Sequence, residues 1–152
     1  MLTISSELLG TLCAHLEAGY PHEACGILLG EIDDATDVRC VRAVVPVRNA
    51  WADAAAPVAD DHGMHDRYAI DPADVARADR TARRHGWDII GFFHSHPDSP
   101  AIASETDREW AWPVVSFVIA SVMHGHVTDV FSWRLRDDRS AFDEEKISAQ
   151  SA

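Results

Sequence analysis

A chain of 152 residues, 47% of them apolar, can bury the core of one domain and is too hydrophobic to stay disordered. Its 25 acidic residues outweigh 13 basic ones, and the resulting charge of −12 repels phosphate backbones, which argues against nucleic-acid binding. Cys13, Cys25 and Cys40 are odd in number and form no C-x-x-C pair, so the sequence suggests neither a zinc ribbon nor a thioredoxin-type motif, but reduced thiols in the cytoplasm.

The opening "MLTISSELLG" lacks the basic start and long apolar run of a signal peptide. No stretch approaches about eighteen uninterrupted apolar residues, so a cytoplasmic protein without a membrane span is expected. "SSELLGTLCAHLEAGYP" predicts a helix capped by Ser5 or Ser6, with Leu8, Leu9, Leu12 and Leu16 at three- and four-residue steps. "ACGILLGEI" predicts a buried strand, "EIDDATD" a turn, and the Val-rich "VRCVRAVVPVRN" a second strand. Residues 50–66 show no periodicity and read as a long exposed loop.

"RYAID" predicts a short strand, and "DPADVARADRTARRHG" a helix with Asp71 as cap, Pro72 at its first position and Gly86 at its stop. "WDIIGFFHSH" predicts an apolar strand and "SETDREWAW" a short helix closed by Pro113, with Trp110 and Trp112 bracing it. "VVSFVIASV" reads as a central strand and "VTDVFSWRLRD" as an edge strand. The polar end of the chain is expected to fray after one last short strand. The predicted class is α/β, with one domain over residues 1–145 and a polar tail over 146–152.

The chemistry lies in "HSHPDSPAIASETD", residues 94–107. Side chains alternate along a strand, so His94 and His96 share a face with Cα atoms about 6.5–7 Å apart, close enough to converge on one zinc ion. Pro97 ends strand pairing and turns the chain. Asp107, eleven residues after His96, falls in the first turn of the next helix and can return a third ligand. Three protein ligands leave the fourth tetrahedral position to water, whose pKa zinc lowers to about 7. Such a hydrolase needs a carboxylate base. Glu23 in "HEACG" stands beside an apolar run, although spacing alone does not single it out from other acids.

"HEACG", "GFFHSHP", Ser104 eight residues after His96, and Asp107 together resemble the JAMM motif of the MPN (JAB) metalloprotease family. The likeness extends over most of the chain. It implies a cytidine-deaminase-like sandwich, a mixed, strongly curved sheet flanked by helices. It further implies zinc (Zn2+) held by His94, His96 and Asp107, with Glu23 as the general acid/base that activates the zinc-bound water. Ser104 becomes the hydroxyl that stabilises the oxyanion. Members of the family cleave amide or isopeptide bonds after a ubiquitin-like C-terminus. "PHEACGILLGE" resembles the bacterial branch, whose substrates are ubiquitin-like sulfur-carrier proteins linked through a C-terminal Gly-Gly.

Other readings compete. Ser104 and Asp107 also fit a helix capping box. A non-catalytic MPN scaffold is the main alternative function, but such domains usually lose ligands that this chain keeps. A zinc deaminase would need H-x-E with P-C-x-x-C, and neither is present. His15, His22, His62, His65 and His85 read as structural or surface residues. The second H-x-H pair, His124 and His126, reads as a solvent-exposed turn. Cys25 reads as packing or as a wall of the site, and the 50–66 loop as a surface that contacts the carrier.

Overall fold

The computed structural model describes residues 1–51 and 67–151. Its elements are β1 (Leu2–Ser5), α1 (Ser6–Gly19), β2 (Cys25–Asp33), β3 (Val38–Val47), α2 (Pro72–His85), β4 (Asp88–Pro97), α3 (Glu105–Trp110), β5 (Ser116–Met123), β6 (His126–Leu135), β7 (Phe142–Glu145) and β8 (Ile147–Gln150). The strands form one mixed sheet in the order β7-β6-β5-β4-β2-β3-β1-β8. β4 runs parallel to β5, and β1 runs parallel to both β3 and β8, while the remaining pairs are antiparallel. β7 and β8 occupy opposite ends of that order yet are joined by Lys146 alone. The sheet therefore curls until its two ends meet, giving the strongly curved α/β fold expected. No helix among the described residues is long and apolar enough to cross a membrane.

Alternation along β2 and β4 sorts side chains between two cores. Leu28 and Phe93 join Leu12 and Leu16 of α1 on one face. Cys25, Ile27 and Leu29 join Ala78 and Ala82 of α2 on the other. Each fully buried large side chain contributes about 1.5–3 kcal/mol. Both long helices begin and end where local chemistry dictates. The Ser5 hydroxyl accepts from the Leu8 amide at 3.1 Å to start α1. Asp71 caps α2, and Gly86, at φ 72°, closes it in the left-handed conformation that glycine adopts without strain.

Four local expectations differ. Leu2–Ser5, not foreseen as a strand, pairs with β3 and β8. "RYAID" forms no strand, and its segment is instead held by a side chain, Asn49, described below. β6 is an edge over only part of its length, because β7 pairs with it along Ser132–Leu135. Residues 147–150 of the expected tail do not fray but pair with β1, exchanging chain-end entropy for ladder hydrogen bonds. The expected 50–66 loop, beyond Ala50 and Trp51, lies outside the described residues, as do His62 and His65.

Candidate metal centre

β4 lies mid-sheet, paired with β2 on one side and β5 on the other. His94 is fully buried and stands opposite Cys25 of β2. His96, two residues on, shares its face at the strand's end. After Pro97 the chain turns at Asp98, which takes a positive φ of 50°. The Asp98 carboxylate accepts from the His124 amide at 2.8 Å and the Tyr20 hydroxyl at 2.7 Å. Three successive carbonyls then anchor the returning loop. Ser99 accepts from the Ser121 hydroxyl at 2.7 Å, Pro100 from His96 Nδ1 at 2.8 Å, and Ala101 from Trp133 Nε1 at 3.0 Å. That anchored loop delivers α3 with Asp107 facing the histidines.

The three expected ligands come together. His94 Nε2 lies 3.0 Å from Asp107 Oδ1 and 3.1 Å from His96 Nε2, and His96 Nε2 lies 3.5 Å from Asp107 Oδ2. Zinc bonds of about 2.0–2.1 Å at tetrahedral angles would set such donors about 3.4 Å apart. The donor set therefore suits zinc. The Pro100 carbonyl can only accept, so His96 Nδ1 carries a proton, and in the neutral ring that leaves the Nε2 lone pair for the centre.

Electrostatics follow from burial and these pairings. Burial pushes the Asp107 carboxyl up, but the neighbouring His94 and His96 imidazoles and the Ser104 hydroxyl hold it well below the usual carboxylate range. Burial pulls the His94 imidazole down, more than Asp107 raises it. For His96 the pull of burial is outweighed by Asp107, the Pro100 carbonyl and the charge of Glu23. Asp107 is thus an anion facing two imidazoles, a set of donors that would coordinate a divalent cation.

Glu23 is buried just before β2. The β2–β4 pairing of Cys25 with His94 continues past the strand, since the Ser95 amide donates to the Ala24 carbonyl at 3.0 Å. Two residues from Cys25 along that register, Glu23 comes beside His96. Ser104 caps α3 in a full capping box. Its hydroxyl accepts from the Asp107 amide at 3.1 Å and donates to Asp107 Oδ2 at 2.7 Å, while its own amide donates to the same oxygen at 2.7 Å. The capping and site readings of Ser104 and Asp107 thus coexist in one arrangement.

Two bordering residues were given no part in the site by the sequence. The Tyr68 ring stacks on His94 with centroids 4.4 Å apart. Burial, then chiefly the charge of Asp107, raises its phenol well above the usual value. Ser95, between the two histidines, accepts from the Ala24 amide at 2.9 Å and so ties β4 to the Glu23 segment. Cys25 packs in the α2-side core, and burial pushes its thiol up to about 12, which keeps it in the protonated state of a packing group. His124 is exposed in the β5–β6 turn, as expected. Trp110 and Trp112 do not brace α3: they are 74% and 66% exposed, and Trp133 anchors the loop instead.

The model describing prokaryotic homologs of the JAB domain matches residues 5–136. A desampylase of Haloferax volcanii is 31% identical over 125 residues, covering 79% of this chain and 80% of the relative. A "Probable TtuB-protein conjugate cleaving protease" of Thermus thermophilus is 28% identical over 120 residues, 77% of this chain and 70% of the relative. The solution structure of a Desulfitobacterium hafniense protein superposes with a TM-score of 0.80 at 30% identity, covering 100% of this chain and 94% of that one.

Proposed function

The chain belongs to the family of prokaryotic homologs of the JAB domain, and from that membership we propose that it is a zinc-dependent isopeptidase. Its substrate is an amide bond after the C-terminal Gly-Gly of a ubiquitin-like sulfur-carrier protein, in the cytoplasm. The names of the two relatives, a desampylase and a conjugate-cleaving protease, support that substrate class. The observation that carries the reading is the convergence of His94, His96 and Asp107, whose donor atoms lie within 4.8 Å of one another. The catalytic domain is taken as residues 1–145 of the expected division together with β8, which pairs with β1 in the same sheet.

Zinc held by these three residues would supply Lewis acidity to a water and to the scissile carbonyl. Glu23 takes the proton of the attacking water and returns it to the departing amine, which is why a carboxylate beside His96 is required. The Ser104 hydroxyl donates to the oxygen that gains charge as the carbonyl carbon becomes tetrahedral. His96 is kept in the competent tautomer by Pro100, and the His94 ring is kept flat against Tyr68.

The test measures zinc content and cleavage of a carrier fused through Gly-Gly to a peptide. Wild type is expected to hold about one zinc per chain and to release the carrier. Glu23→Gln should keep the metal and lose about 10²–10⁴-fold in turnover. His94→Ala and Asp107→Ala should lose the metal itself. A wild type that binds no zinc after reconstitution would overturn the reading in favour of a non-catalytic scaffold.

A further inference from the structure

Asn49 lies two residues beyond β3 and is buried, 7% exposed. A primary amide offers two N–H donors and two acceptor lone pairs. Asn49 uses all of them. Its Nδ2 donates to the Glu23 carbonyl at 3.0 Å and the Arg67 carbonyl at 2.9 Å. Its Oδ1 accepts from the Trp51 amide at 3.0 Å and the Ala69 amide at 3.1 Å. All four partners are backbone groups, and all four belong to segments outside any helix or strand.

Those segments matter to the site. Glu23 precedes β2, so no ladder bond within a strand fixes its peptide. Tyr68, between Arg67 and Ala69, stacks on His94. One side chain thus ties the backbone of the acid/base to the backbone on both sides of the aromatic that covers a ligand. A surface-tethering role would not need saturation, burial or partners from three separate stretches of chain.

We infer that Asn49 is a positioning residue for the reaction, holding Glu23 and Tyr68 in one frame around the metal centre. The inference rests on the isopeptidase reading above. Asn49 reaches none of the three ligands through any of its four bonds. Its loss should therefore displace Glu23 without emptying the metal site, and a displacement of about 1 Å near the reacting atoms costs about 10²-fold in rate.

The experiment uses the full chain reconstituted with zinc, as wild type, Glu23→Gln, Asn49→Ala and Asn49→Asp. Zinc per chain, kcat and KM on the Gly-Gly fusion, the pH profile of kcat, and amide exchange at Trp51 and Ala69 are measured. Asn49→Ala should keep its zinc, lose about 10²-fold in kcat with KM little changed, shift the acidic limb of the profile, and expose both amides to exchange. Asn49→Asp retains the acceptor oxygens, so Trp51 and Ala69 stay protected. It puts a carboxylate against the Glu23 carbonyl in place of a donor, so kcat still falls. This variant also decides the matter if Asn49→Ala does not fold.

A kcat per bound zinc within about twofold of wild type in the folded variants would overturn the inference. So would a loss that merely follows zinc content or the folded fraction with the pH profile unmoved. Should wild type fail to cleave, or Glu23→Gln cleave as well as wild type, the isopeptidase reading falls and takes this inference with it. If those two behave as expected and the Asn49 variants match wild type, the positioning role alone fails.

Discussion

Ser104 puts one hydroxyl under two demands. As a cap it accepts from the Asp107 amide, and as the proposed oxyanion donor it must turn its proton from Asp107 Oδ2 to the substrate. The two roles separate by measurement. Ser104→Ala should cost about 1 kcal/mol of stability through the lost cap, and about 10²–10³-fold in kcat through the lost donor. A variant that melts earlier yet turns over normally once folded would leave Ser104 a cap only. The convergence of His94, His96 and Asp107, with Ser104 capping α3, could be expected from sequence because one strand and one helix start hold them at fixed offsets. Tyr68 and Asn49 were not, because their parts in the site depend on long-range contacts to β4 and to Glu23. A tyrosine and an asparagine in irregular chain have no spacing rule to betray them.

At the scale of elements, the site depends on how closely β2 and β4 can pair. Gly26 stands opposite Phe93, whose ring lies in the space where a Gly26 side chain would begin. A Cβ there would come within 2.1 Å of that ring and 2.6 Å of the Val45 carbonyl. Phe93 is fully buried and the Val45 oxygen is backbone, so neither gives way easily. Gly26→Ala is therefore expected to lower stability by about 1–3 kcal/mol, read as a fall in the denaturant midpoint. Displacing Phe93 would also shift His94 beside it, so zinc affinity should fall as well. A midpoint equal to wild type would mean that the strands separate at little cost. Sequence periodicity found β2, β3, β4, β5 and both long helices, because each repeats its apolar pattern several times. It missed β1 and did not resolve β8 within the tail, because four residues hold too few repeats to stand out. The sequence does not say where the last short strand pairs, so it could not show that β7 covers β6 along Ser132–Leu135.

For the whole molecule, the question is what keeps the curled sheet from opening where β7 and β8 meet. Glu145, the last residue of β7, lies with its side chain 3% exposed, 3.5 Å from Arg39 of β3 and 3.7 Å from Arg134 of β6. Its other oxygen accepts from the Ser132 hydroxyl at 2.8 Å. Arg39, 4% exposed at its side chain, also meets Asp37 at 3.0 Å. One carboxylate thus links strands from the two halves of the sheet order, across the gap that Lys146 spans in sequence. Among the described residues, removing it leaves the buried Arg39 guanidinium with Asp37 alone as a close acidic partner, so Glu145→Ala should cost about 3 kcal/mol. Salt gives the diagnostic. The charge of −12 makes the chain repel itself, and screening that repulsion should raise the stability of wild type and variant alike. A buried pair is screened far less than surface charge. The gap between the two proteins should therefore persist from low to high salt in parallel denaturation curves. A gap that closes as salt rises would show that Glu145 acts through the surface field and that the seam is held by the backbone ladders alone.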